Sequence, residues 1–252
     1  MNGRARRAFI ILPVLGTLLV AALVGVLAVV QNQHQADQEA MAESVGEDYL
    51  SNVASFRLSA TRKIRAVDPQ DAEMLEPVVK AAVANPPKLP AVSEYARAHS
   101  AAYRQAERTA KTLLTPYRHL SATLIRAKTS ETFIAAARKV LDLKATDYVG
   151  FGLITDSAAL RSSLIPAFST ARDEFVAVKV PPGQAELAAK VRDAVQYVID
   201  KSSTLAARID AHQNFSFRYD QQFQTALDAV NDYATAVQGD VEEAIQTATN
   251  DS

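Results

Sequence analysis

From Ala8 to Val30 the chain reads AFIILPVLGTLLVAALVGVLAVV, with no charged residue and with Thr17 as its one clearly polar side chain. A helix rises 1.5 Å per residue, so a hydrocarbon core of about 30 Å takes roughly 20 such residues. The run meets that length and predicts a transmembrane helix over 8–30. A removable signal peptide has a shorter apolar centre with a small-x-small cleavage site behind it. Here Val29-Val30 gives way to Gln31-Asn32-Gln33, so a retained anchor is expected. Pro13 falls in the first turns, where its missing N–H costs least.

Beyond Gln31 the apolar residues become periodic. Val45, Tyr49, Val53, Phe56, Ala60, Ile64 and Val67 form one seam, and nothing before Val67 breaks it strongly except Gly46. A second seam runs Val92, Ala96, His99, Tyr103, Ala106, Ala110, Leu113, Tyr117, Leu120, Leu124. Its steps alternate four and three, which keeps every position on one helix face. Helices over 31–67 and 91–127, each about 55 Å long, are therefore expected to pack antiparallel. Between them, Asp68 and Pro69 read as the cap and first position of a helix over 69–84, kinked at Pro77 and ended by Pro86-Pro87 and Pro90.

Downstream, Thr129 or Ser130 is expected to cap a helix reaching Lys144. Gly150 and Gly152 break the pattern, and Asp156 or Ser157 caps a helix to about Val178. Pro181-Pro182-Gly183 closes it and marks a sub-boundary near 180–183. Leu187, Val191, Val195, Val198, Leu205 and Ile209 then share a seam, as do Phe223, Leu227, Val230, Val237, Val241 and Ile245. A turn near His212–Phe217 separates the two, with one unbroken helix over 186–248 as the alternative. No run of alternating apolar and polar residues flanked by hairpin turns stands out. The expected fold class is all-α: an N-terminal transmembrane helix followed by a bundle of long antiparallel helices.

The flanks orient the anchor. Arg4, Arg6 and Arg7 precede it, while Asp37, Glu39 and Glu43 follow. By the positive-inside rule residues 1–7 lie in the cytoplasm and 31–252 form one extracytoplasmic domain. That leaves only about seven residues inside, too few for a cytoplasmic signalling domain. The rest of the chain has 24 basic residues (27 less the three arginines) against 28 acidic ones, about −4 net. A mildly acidic domain does not suit nucleic-acid backbones, which call for clustered Lys and Arg. Cysteine is absent, so the exported domain has neither disulfides nor thiolate chemistry.

Candidate chemistry is sparse. His34, His99, His119 and His212 are scattered, and none has Glu three residues before it, so the Glu-x-x-His pairs of di-iron bundles are missing. There is no His-Glu-x-x-His helix and no Gly-x-Ser-x-Gly elbow. Gly150-Phe-Gly152 lacks the Lys-Ser/Thr of a phosphate loop. Asp68, Asp71, Glu73 and Glu76 gather at a helix start, where acidic groups cap and favour the helix dipole. No cofactor or metal is expected, and no enzyme.

Two interaction signals remain. Thr17, Ala21 and Gly25 recur every four residues and give the anchor a face of small side chains, which lets two transmembrane helices approach closely. Arg57, Arg62, Lys63 and Arg65 form a basic group suited to an anionic polymer or acidic partner. The tail from Val180 is similar in texture to the helical hairpins of bacterial envelope lipoproteins. It has no lipobox cysteine, and no residue roles follow from the likeness. The resulting expectation is a single-pass cell-membrane protein with its C-terminal domain extracytoplasmic. It would act as a non-catalytic interaction or scaffold component of the cell envelope, such as an accessory subunit of a membrane complex. Its protein partner would be held through the transmembrane face or the outer bundle. The alternative is an exported bundle that binds or senses a ligand of unknown identity.

Overall fold

The computed structural model describes residues 5–69, 71–150 and 152–250, with side chains from Gln31 onward except at position 72. All the elements among them are helical. They are α1 (Ala5–Arg65), α2 (Ala72–Ala82), α3 (Glu94–His99), α4 (Ala101–Thr112), α5 (Thr115–Leu141), α6 (Thr146–Val149), α7 (Ser157–Ala159), α8 (Ile165–Val176), α9 (Ala185–Asp210) and α10 (Asp220–Asn250). A π-helical turn, Leu160–Leu164, joins α7 to α8. Among the described residues no helix is long and apolar enough to cross a membrane. The side chains of the 8–30 run, including Thr17, Ala21 and Gly25, lie outside those described.

The chain forms two compact units. The first comprises residues up to Ser59 with Asn85–Thr115, and the second Ala60–Ala84 with Pro116–Ser252. Positions 180–183 form the turn between α8 and α9 inside the second unit, where Gly183 takes a φ of +81°.

In the first unit α1 buries Ala42, Tyr49 and Val53, with Ala96, Tyr103, Ala106 and Leu113 from the other segment completing the core. The expected seam of α1 is therefore the buried face. The expected single helix over 91–127 is instead α3, α4 and the start of α5. Its first break comes at Ser100, the N-cap of α4, whose Oγ accepts from Tyr103 N at 3.0 Å. The same hydroxyl donates to Glu43 of α1 at 2.6 Å, and Ala102 N donates to that carboxylate at 3.2 Å. A carboxylate from α1 thus satisfies the orphan N–H groups of α4 and sits at the positive end of its dipole. His99, on the expected seam, is exposed and stacks on Tyr95. The second break, at Leu113-Leu114, is followed by Pro116, which suits a first turn and not a helix interior.

The second unit packs Phe133, Phe168, Val191, Val195, Val198 and Val230 into one core. The cap of α2 is Asp71, whose Oδ1 accepts from Met74 N at 2.9 Å, rather than the expected Asp68. Thr129 and Ser130 lie inside α5 and bond back to the carbonyls of Ile125 and Arg126, so neither starts a helix. In the 157–176 stretch, Pro166 has no N–H and its ring crowds the carbonyl four residues back. The chain widens by one residue just before it, and Ile165 N bonds to Leu160 O. The end of α9 is a Schellman turn: His212 N bonds Ile209 O at 2.9 Å and Gln213 N bonds Arg208 O at 2.8 Å. His212 occupies the left-handed position that glycine usually fills, at φ 54°. The turn expected near 212–217 is therefore real, and α9 and α10 are separate helices.

Candidate functional site

The basic group is divided by the fold. Arg57 belongs to the first unit, while Arg62, Lys63 and Arg65 belong to the second. Arg57 lies close enough to Tyr49 to oppose the upward push that burial gives that phenol. Arg65 donates to Thr249 Oγ1 at 3.4 Å and Asn250 Oδ1 at 3.1 Å, at the end of α10 where a cation is favoured. Arg62 and Lys63 are exposed.

The perturbed carboxylates are occupied in structural contacts. Glu43 is held below the usual carboxylate range first by Ser100 and then by the Ala102 amide. Glu107 is lowered first by its hydrogen bond from Arg97. Asp210 is lowered first by the Ser157 hydroxyl, at 2.5 Å, and then by Arg161, which ties α7 to the end of α9. Among the described residues no three His, Asp or Glu side chains converge as metal ligands would.

The site with unspent chemistry is a cavity of about 240 Å³ in the second unit. Leu160 and Leu164 of the π turn and its end form one wall, and Ser202 and Leu205 of α9 another. Ala145, the cap of α6, and Val149 at its end close it further with Phe215, Phe217 and Tyr219 of the α9–α10 connection. Leu153, 91 % exposed, lines it from the segment after Gly152. Tyr219 is fixed there because its Oη accepts from Ala145 N at 2.9 Å and its ring meets Phe168 and Phe223 edge-on.

Ser202 is the distinctive residue. It is fully buried, and its Oγ has no hydrogen-bond partner among the described residues. Its neighbours Ser203 and Thr204 each donate to the carbonyl four residues back, at 2.8 and 2.9 Å. Ser202 makes no such bond. A buried hydroxyl left unpaired costs about 1–3 kcal/mol. None of the described side chains that line the cavity is charged.

The sequence carried two signs of this site. Ser202 continues the α9 seam, four residues after Val198 and three before Leu205, so a polar group stands at a core position. Phe215, Phe217 and Tyr219 recur every second residue, the period of extended chain with one face turned inward. The loss of helical phase in that stretch reads as a plain turn when only the 3.5-residue period is followed.

No family model matches the chain, nor does any curated protein or any solved structure.

Proposed function

We propose that this protein is a membrane-anchored, extracytoplasmic helical bundle that works by binding, as an interaction or scaffold component of the cell envelope. The observation that carries this reading is the charge-free run 8–30 behind Arg4, Arg6 and Arg7. The commitment of Glu43, Glu107 and Asp210 to caps and ion pairs supports a non-catalytic role, because the carboxylates with shifted pKa values serve the fold. In this reading Thr17, Ala21 and Gly25 present the face that meets a partner helix. Gly25→Leu then places a branched side chain where backbones meet and lowers recovery of a stoichiometric membrane partner in mild detergent at least several-fold. Val26→Leu, on a neighbouring face, leaves recovery unchanged. Equal recovery with both variants would reduce the span to a tether and move the contact to the outer bundle.

A second reading, an exported ligand-binding bundle, is favoured by the cavity beside Ser202. It is compatible with the first, since a ligand could modulate a partner contact. Occupancy of that cavity by an added small molecule is its test.

A further inference from the structure

We infer that the cavity between the π turn, α9 and the α9–α10 connection is a site for a small neutral molecule with an apolar body and one hydrogen-bonding group, which meets Ser202 Oγ. The inference rests on the ligand-binding reading and adds the chemical class of the ligand and its orientation.

Size comes first. An apolar cavity of ~150 Å³ is enough to hold benzene, and this one, open to solvent on the Leu153 side, measures about 240 Å³. It therefore suits a single substituted ring or a short branched chain. Charge comes second. Among the described residues the lining is Leu, Ile, Val, Phe, Tyr, Ala and Gly with two serines and no ionic group, so an ion entering it would lose hydration without a counter-charge.

Orientation follows from the unpaired hydroxyl. Ser202 can donate or accept, is fully buried, and has no partner among the described residues. A ligand with a hydroxyl or carbonyl satisfies it, whereas a hydrocarbon of the same shape leaves the cost in place. Phenol and toluene make the comparison: similar shape, one with a hydroxyl and one without.

The experiment uses the full chain in mild detergent and follows its melting temperature with millimolar phenol or toluene. Leu205→Trp, which fills the cavity, corrects for partitioning into detergent. Relative to that variant, phenol should raise the wild-type melting temperature by about 2–4 °C, and toluene by clearly less. Ser202→Ala should respond equally to both. If neither compound stabilises the wild type beyond Leu205→Trp, the cavity does not bind and the ligand-binding reading falls with it. If both stabilise equally and Ser202→Ala changes nothing, the cavity binds but the assigned head-group contact is wrong.

A second measurement does not depend on Leu205→Trp folding. Because the chain has no cysteine, Ser202→Cys introduces a unique thiol in the cavity. Benzyl methanethiosulfonate should modify it in the folded protein and phenol should slow the reaction, while the charged sulfonatoethyl reagent should not react. Resistance to both reagents until the protein unfolds would overturn the assignment.

Discussion

Glu43 and Ser100 are far apart in sequence, and their 2.6 Å hydrogen bond places a carboxylate of α1 at the N-terminus of α4. A capping box usually draws its acid from three residues beyond the cap. Here that position is Tyr103, and a different helix supplies the acid. The contact stabilises α4 and docks it in one step.

The sign of its pH dependence follows. Glu43 titrates below its ordinary value in the fold, with Ser100 as the first cause. Its stabilisation is present above the unfolded carboxylate value, about 4.3, and is lost as pH falls through the lower folded one. Glu43→Gln should melt below the wild type at neutral pH, and the gap should close as pH falls below about 4. A gap that stays constant down to the acid transition would show that the charge plays no part.

Gly46, one turn along α1, faces the same α4 terminus. A Cβ there would lie 2.5 Å from Tyr103 N and 2.6 Å from Ala102 C, both backbone atoms that cannot swing aside. Gly46→Ala should destabilise by about 1–3 kcal/mol, despite the ~1 kcal/mol that alanine's helix propensity offers. Gly239, in α10, has open space at its Cβ, so Gly239→Ala should stabilise by ~0.5–1 kcal/mol. Denaturant melts of the pair check both signs. Stabilisation by both would remove the close approach at Gly46.

Serine-to-alanine changes should likewise split by partner. Ser130 Oγ bonds Arg126 O at 3.0 Å and Tyr233 Oη at 2.6 Å. Its replacement should cost about 0.5–1.5 kcal/mol. Ser202→Ala removes a hydroxyl that has no partner and should be neutral or stabilising by up to ~1 kcal/mol in ligand-free protein. Destabilisation by Ser202→Ala would reveal a partner for that hydroxyl and weaken the case for a ligand.

Much of the all-α fold was legible in the seams, because burial of one helix face imposes a period that composition alone does not hide. The seam from Val45 to Ile64 is the inner face of α1, and the turn at His212 is where the periodicity fails. The boundaries at Ser100 and Thr129 were misread for opposite reasons. Ser100 ends one helix and starts another without disturbing the phase, because its stabilising acid comes from Glu43. Thr129 and Ser130 look like caps but bond back within α5. Pro116 and Pro166 were the local signs of a helix start and of a widened turn; the first fell inside the seam from Val92 to Leu124, and the second inside a stretch that reads as one helix from its cap at Asp156 or Ser157. The cavity was harder to see, since it joins Leu160, Ser202 and Phe217, which no single period connects.

Topology is the claim on which the proposed function depends most. Epitopes at the two ends of the chain, with protease added to cells whose outer wall is permeabilised and whose cell membrane is intact, test it directly. The account predicts loss of the C-terminal epitope, with the N-terminal epitope protected and retained in the membrane fraction. Protection of the C-terminal epitope alongside a cytoplasmic control, or a mature chain beginning near Gln31, would contradict it.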